Sequence, residues 1–149
     1  KIGTNNIIAA QHNHTAVFNG YQIQTNGNEY AHLVLRGGLD GPNYDTASIK
    51  KAAQILKEAE VTNPAIVVDA SHDNCRDIVY ETVENRLKDP ELEIVRGFMI
   101  ESFLKPGNQK VDPNNPDALD REGLSITDPC LSWETTEQLL RDIADKHTL

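Results

Sequence analysis

Long apolar runs are missing from this sequence. None approaches the roughly 20 residues that a membrane-spanning helix needs, and residues 1–11 lack the apolar core of a secretory signal peptide. We therefore expect no membrane among the partners. The chain opens with Lys1 rather than Met, which indicates either processing or an absent start of the gene product.

Cysteine is scarce, since Cys75 and Cys130 are the only two among 149 residues. Two thiols do not form a disulfide framework, which is typical of a reducing compartment, so we expect a cytoplasmic protein. We predict that both are small buried residues. Cys130 stands two residues after Asp128 and could instead be a further metal ligand or a redox-sensitive thiol.

Positive charge is also scarce, because 14 Lys and Arg stand against 23 Asp and Glu, for a formal net charge of −9. Nucleic acids and anionic membranes favour basic surfaces, so neither is expected as the main partner. A local basic pocket for a phosphorylated metabolite is compatible with this balance. The hydrophobic fraction of 38% and charged fraction of 25% predict a soluble, folded domain.

A strand, a polar turn and a helix follow one another three times along the chain. The strands are predicted at residues 31–35, 65–70 and 94–100. Three such units predict a parallel sheet with right-handed crossovers, and hence an α/β fold. Eight units and about 250 residues complete a TIM barrel, so the chain is either a small open α/β domain or the end of a larger barrel. The absent start favours the barrel.

Capping residues and helical periodicity locate the helices and their buried faces. The first helix is expected to be capped by Asp45 or Thr46, the second to follow residue 74, and the last to begin near Ser132 or Trp133, with Trp133 seating it. The side chains expected to face inward are Ile49, Ala52, Ala53, Leu56 and Ala59 in the first helix, Ile78, Val79, Val83 and Leu87 in the second, and Thr136, Leu139, Leu140, Ile143 and Ala144 in the last.

Two segments outside these units are also interpreted. Residues 5–11 could end a helix, and residues 17–25 could form a small hairpin with Asn19-Gly20 as its turn. Residues 105–123 form a long polar loop rich in Pro, Asn and Asp, and a loop of that length is usually functional or mobile.

Reactive side chains follow the predicted strands, at Arg36, His72, Glu101 and, in the next loop, Asp128. In parallel α/β folds this end of the sheet is where ligands bind. One imidazole and two carboxylates suit a divalent ion such as Mn, Fe, Co or Zn, which could polarise a carbonyl oxygen. The alternative is that His72 caps the following helix while the carboxylates are solvated loop residues.

Two further groups of residues have competing interpretations. Arg36 before two glycines could clamp a phosphate or carboxylate, or it could form a surface salt bridge to Asp40 or Asp45. His12 and His14 form an H-x-H pair that could bind metal, although a loop pair with no third ligand nearby is usually polar surface.

Four blocks of motif follow one another along the chain. They are L-R-G-G at 35–38 with N-Y at 43–44, D-A-S-H-D-N at 69–74, M-I-E-S at 99–102 with G-N-Q at 107–109, and S-I-T-D-P-C at 125–130 with W-E at 133–134. Each block is weak alone, but together they are specific. In their order and spacing they resemble the microbial type I 3-deoxy-D-arabino-heptulosonate 7-phosphate (DAHP) synthases.

The resemblance implies condensation of phosphoenolpyruvate with D-erythrose 4-phosphate to DAHP and phosphate, the first step of the shikimate pathway to aromatic amino acids. It implies Arg36 and His72 as catalytic residues, with Arg36 contacting phosphoenolpyruvate. His72, Glu101 and Asp128 become ligands of a divalent metal cofactor, and Asp128 is also assigned to the substrate site. A homo-oligomer is expected for the whole enzyme.

The resemblance also identifies functional residues of the family that this sequence lacks. The family's fourth metal ligand, a cysteine, and its Lys-Pro-Arg motif have no counterpart here. Residues 1–149 are therefore expected to be the C-terminal part of one (β/α)8-barrel catalytic domain, about strands six to eight, and to be inactive alone. The alternatives are a non-catalytic half-barrel that binds a partner or metal, and a related phosphoenolpyruvate-dependent sugar-acid synthase.

Overall fold

The computed structural model describes residues 2–72 and 78–147. The chain divides into two compact units, Lys1–Phe98 and Met99–Leu149. Within the described part of the chain, no helix is both long enough and apolar enough to cross a membrane.

The first unit begins with helix α1 (Ile2–Gln11) and an antiparallel hairpin of β1 (His14–Phe18) and β2 (Tyr21–Thr25). The hairpin turns at Asn19 and Gly20, which have φ of 49° and 81°. Two positive φ values in a two-residue turn are typical of type I′, the geometry that matches strand twist. The predicted hairpin and its turn are confirmed, and the first strand begins three residues earlier than expected.

A three-stranded sheet follows, in the order β3 (Leu33–Leu35), β4 (Ile66–Asp69) and β5 (Val95–Met99). β3 and β4 run parallel, with Leu35 opposite Val68. The predicted α/β class and the three strand positions are confirmed, with each strand shorter than predicted. β5 starts late because a 3-10 helix, Pro90–Ile94, occupies the preceding residues.

Helix α2 (Thr46–Glu58) has Asp45 as its N-cap, whose carboxylate accepts hydrogen bonds from the backbone N and hydroxyl of Ser48 at 3.0 and 2.6 Å. These bonds, the hydroxyl bond first, lower the pKa of Asp45 because they stabilise its charged form. Of the predicted inner face, Ile49, Ala52 and Leu56 are buried, while Ala53 and Ala59 are half-buried.

Helix α3 (Ile78–Lys88) buries Ile78, Val79 and Val83 as predicted. The prediction that Leu87 faces inward is wrong, because this residue is 52% exposed. The covered face of the helix instead includes Arg86, which is half-buried. Its Nε donates a hydrogen bond to the carbonyl of Val95 at 2.9 Å, which links the helix to β5. The predicted burial of Cys75 lies outside the described residues.

The second unit consists of a long connection and helix α4 (Trp133–His147), which starts where predicted. The connection is held by paired backbone segments rather than lacking structure, and it includes the 3-10 turn Pro116–Ala118. Thr136 and Leu139 are buried and Ile143 is half-buried. Leu140 and Ala144 are exposed, so their predicted inward placement is wrong. Trp133, which was predicted to seat the helix, is 55% exposed. Fewer apolar side chains of α4 are buried than its helical periodicity predicts.

Candidate metal centre

His72 lies in the turn that follows β4. Its Nδ1 is 2.6 Å from Oδ2 of Asp69, the last residue of the strand. The backbone N of Ser71 donates to Oδ1 of the same carboxylate at 2.8 Å. His72 is half-buried, whereas Asp69 is 1% exposed. The alternative that His72 caps the next helix involves residues 73–77, which lie outside the described residues.

Glu101 follows β5 by two residues and is half-buried. Its carbonyl accepts a hydrogen bond from the backbone N of Leu131 at 3.0 Å, and Phe103 N donates to the carbonyl of Leu131 at 2.9 Å. These two bonds fix the backbone on either side of Ser102, so the position of Glu101 depends on a segment about thirty residues later in the chain.

Asp128 is exposed and lies on a loop that is held from the other side by residues 107–109. Gly107 and Cys130 exchange two backbone hydrogen bonds, at 2.8 and 3.1 Å. The side-chain amide of Asn108 donates to the carbonyl of Thr127 at 2.6 Å. The G-N-Q block therefore holds the segment that carries Asp128.

Three predicted residues are brought together. One ligand atom from each of His72, Glu101 and Asp128 lies within 4.8 Å of the other two, and among the described residues this is the one group of that chemistry. An imidazole nitrogen with two carboxylate oxygens suits a divalent transition metal. The donor set therefore fits a metal ion, and the role of these three residues as ligands stays a prediction.

Arg36 is exposed and directly follows β3. The next residue, Gly37, has φ of 81°, and its backbone N donates to Oδ1 of Asn43 at 2.8 Å. Asp45 uses its carboxylate to cap α2, and within residues 2–72 and 78–147 no ion pair links Arg36 to Asp40 or Asp45. The salt-bridge alternative is thus not supported, and an anion-binding role stays a prediction.

The other candidate ligands do not join the group. Cys130 is half-buried rather than buried, and its thiol donates to the carbonyl of Asp128 at 3.5 Å. His12 and His14 are exposed, with ring nitrogens at 2.6 Å from the carbonyl of Ile8 and 3.1 Å from the hydroxyl of Thr25. The prediction that these histidines form polar surface agrees with those local bonds.

The contact of Asp69 with His72 was not predicted from the sequence, where Asp69 was only the end of a strand and the start of a motif. The available signal was a carboxylate at the end of an otherwise apolar strand, three residues before a candidate metal ligand. Burial of a carboxylate needs hydrogen-bond partners, and the turn supplies them.

Comparison with known proteins gives one consistent family. The model of the DAHP synthetase I family matches residues 2–141. A phospho-2-dehydro-3-deoxyheptonate aldolase from Alternaria alternata is 40% identical over 128 residues, which are 82% of this chain and 33% of that protein. The Tyr-sensitive aldolase of Salmonella typhimurium is 38% identical over 81% of this chain and 34% of its own length.

A Trp-sensitive aldolase from Shigella flexneri is 40% identical over 81% of this chain and 35% of its own length. The solved structure of the Francisella tularensis aldolase superposes with a TM-score of 0.73 at 27% identity, covering 95% of this chain and 43% of that one. The chain thus spans about a third of the length of the curated relatives it matches.

Proposed function

The chain belongs to the DAHP synthetase I family, and from that membership we propose that it forms part of an enzyme that condenses phosphoenolpyruvate with D-erythrose 4-phosphate. The products are 3-deoxy-D-arabino-heptulosonate 7-phosphate and phosphate. The names of the relatives support this activity, and the side chains of the candidate metal centre support the chemistry.

The fold proposal is that residues 1–149 are the C-terminal part of a single (β/α)8 barrel, about strands six to eight with their helices. The three-stranded sheet with a parallel β3–β4 pair supports this, as does the likeness to an aldolase chain more than twice as long. Three strands leave two sheet edges that the remainder of a barrel would pair. A cytoplasmic location and a homo-oligomer belong to the same proposal.

The proposed roles follow from the donor types. His72 would supply a neutral imidazole nitrogen, and Glu101 and Asp128 an anionic oxygen each, to Mn, Fe, Co or Zn. A divalent ion held there supplies Lewis acidity toward a carbonyl oxygen. Arg36, on its glycine-bordered turn, would bind an anionic group of phosphoenolpyruvate through its guanidinium fork.

In the proposed reaction the methylene carbon of phosphoenolpyruvate forms a bond to the aldehyde carbon of erythrose 4-phosphate, whose oxygen takes up a proton. Water then adds to the former enol carbon and releases one proton, and the carbon–oxygen bond to phosphate breaks as the added hydroxyl becomes the ketone and its proton passes to the departing phosphate. The proposed task of Arg36 is to orient the anionic substrate, and Asp128 is proposed to contact a substrate as well as the metal.

The convergence of the three ligand atoms within 4.8 Å is the observation that carries the proposal. The test uses the full-length protein that contains this chain. We expect phosphoenolpyruvate consumption only when erythrose 4-phosphate and a divalent metal are both present, and loss of both turnover and Mn²⁺ binding in His72→Ala. His32→Ala, an exposed histidine outside the group, is the matched control.

Activity that survives strong chelation, or a His72→Ala variant that equals the control, would contradict the metal assignment. An assay with arabinose 5-phosphate in place of erythrose 4-phosphate distinguishes the proposed activity from that of a related sugar-acid synthase, because such a synthase would use arabinose 5-phosphate. The 149-residue chain alone is expected to show no turnover, since it spans only about a third of the length of the curated relatives it matches. Measurable turnover by the purified chain would refute that expectation.

A further inference from the structure

Asp69 is a buried carboxylate at the end of β4. The residue is 1% exposed, and the neighbouring Val68 and Ala70 are 0% and 1% exposed. A charge in such surroundings is unfavourable unless its oxygens accept hydrogen bonds, and an apolar side chain would be easier to bury. Fold stability alone therefore does not account for an acidic residue at this position.

Both oxygens of Asp69 are engaged within the same turn. Oδ1 accepts from the backbone N of Ser71 at 2.8 Å, and this bond sets the rotation of the carboxylate about its last torsion. Oδ2 then faces Nδ1 of His72 at 2.6 Å. All three residues belong to one compact unit and to four consecutive positions in the chain, so the arrangement is local.

The direction of the second bond follows from the chemistry of its partners. An ionised carboxylate only accepts hydrogen bonds, so Nδ1 of His72 must carry the proton that is shared. A neutral imidazole has a single N–H, so the other ring nitrogen, Nε2, then carries the lone pair. Metal-binding histidines commonly donate their second ring N–H to a carboxylate in this way.

We propose that Asp69 is a positioning residue of the candidate metal centre, which holds His72 in the tautomer and ring orientation that present Nε2 to a divalent cation. The inference rests on the proposed role of His72 as a ligand, but not on which substrates the enzyme uses. Removal of such an outer partner typically weakens metal binding by about 10- to 100-fold.

The first test needs no substitution in the measured protein. Full-length protein is labelled with 15N-histidine, stripped of metal and examined by long-range proton–nitrogen NMR, with His72→Ala identifying the His72 signals. We expect a proton on Nδ1 and none on Nε2 at a pH where the ring is neutral. A His72 ring protonated on Nε2 overturns the proposal, whether or not any Asp69 variant folds.

The second test is Asp69→Asn, which keeps the size of the side chain but leaves one oxygen for two donors. Since Ser71 N–H still needs an acceptor, the amide NH2 would face Nδ1 and favour the opposite tautomer. We expect Mn²⁺ affinity, measured by electron paramagnetic resonance, to fall about 10- to 100-fold. Asp45→Asn makes the same change at the cap of α2 and should bind Mn²⁺ like the wild type.

The outcomes separate this inference from the proposed function. If His72→Ala loses Mn²⁺ binding while Asp69→Asn binds within about twofold of Asp45→Asn, the positioning role is wrong and the metal site stands. If His72→Ala binds Mn²⁺ normally, the metal site itself is wrong. Loss of affinity in Asp69→Asn together with an inverted His72 tautomer supports the proposal, because a merely structural role would not move the ring proton.

Discussion

Gln109 joins two sides of the loop that carries Asp128. Its side-chain amide donates to the carbonyls of Asp120 and Leu124 at 2.7 and 3.1 Å. Its side-chain oxygen accepts from the backbone N of Asp120 at 2.9 Å. Gln109→Leu keeps a similar volume but leaves all three backbone groups without this partner.

The size of the effect follows from those bonds. A protein hydrogen bond contributes about 1 kcal/mol net, and water can replace part of the loss because Gln109 is half-buried. We expect local stability of the loop to fall by about 2–3 kcal/mol, which corresponds to opening that is roughly 30- to 150-fold more frequent. Metal affinity should fall too, because Asp128 lies in this loop.

Hydrogen exchange followed by mass spectrometry measures that opening directly, in peptides that cover residues 105–131. Gln138→Leu is the matched control, since it removes one exposed hydrogen bond to Asp142 on α4 and should alter stability by about 0.5 kcal/mol or less. Exchange of the loop amides that is equal in the two variants would refute the reasoning.

Three further predictions concern stability and can be read from urea unfolding midpoints. Thr82→Val should stabilise by about 1 kcal/mol, because the hydroxyl of Thr82 is buried without a hydrogen-bond partner among the described residues; a lower midpoint would show that the hydroxyl is satisfied. Gly27→Ala should destabilise by more than about 2 kcal/mol, since its Cβ would lie 2.2 Å from the carbonyl oxygen of Gln11, whereas Gly20→Ala, also at positive φ but with open space around it, should lose only about 1 kcal/mol. Equal losses would rule out the clash. Because the folded-state pKa of Asp45 is depressed, its capping contribution should be present above the unfolded pKa of about 4 and lost as the pH falls through the folded value. Asp45→Ala should therefore lower the free energy of unfolding by about 1 kcal/mol at pH 6 and by less at pH 3, and a pH-independent loss would contradict the assignment.

Local sequence patterns predicted a helix or strand well where the interactions that form it lie within a few residues of one another. The Asn19-Gly20 turn specifies its hairpin because both residues tolerate positive φ. The Asp45 cap specifies the start of α2 because its carboxylate reaches an amide three residues away. Arg36, His72 and Glu101 were found from their positions directly after strands, which is a topological rule that needs no knowledge of contacts.

Periodicity failed where a tertiary contact decides which part of a helix is covered. Leu87 was predicted inward from spacing alone, yet the bond from Arg86 to Val95 orients that turn of α3 and leaves Leu87 exposed. Leu140 on α4 was also predicted inward from spacing, and it is 53% exposed. An apolar stripe shows which side chains could be buried, whereas the partner surface determines how many are.

The sequence by itself determined the α/β class, the order of strands and helices, and the three donor types of the candidate metal centre, because these depend on residue identity and short spacing. Only the tertiary structure decided that the ligand atoms of His72, Glu101 and Asp128 lie within 4.8 Å of one another, and that a buried Asp69 bonds one of them. Such distances depend on hydrogen bonds like that between Leu131 and Glu101, which link segments far apart in the chain and leave no local pattern.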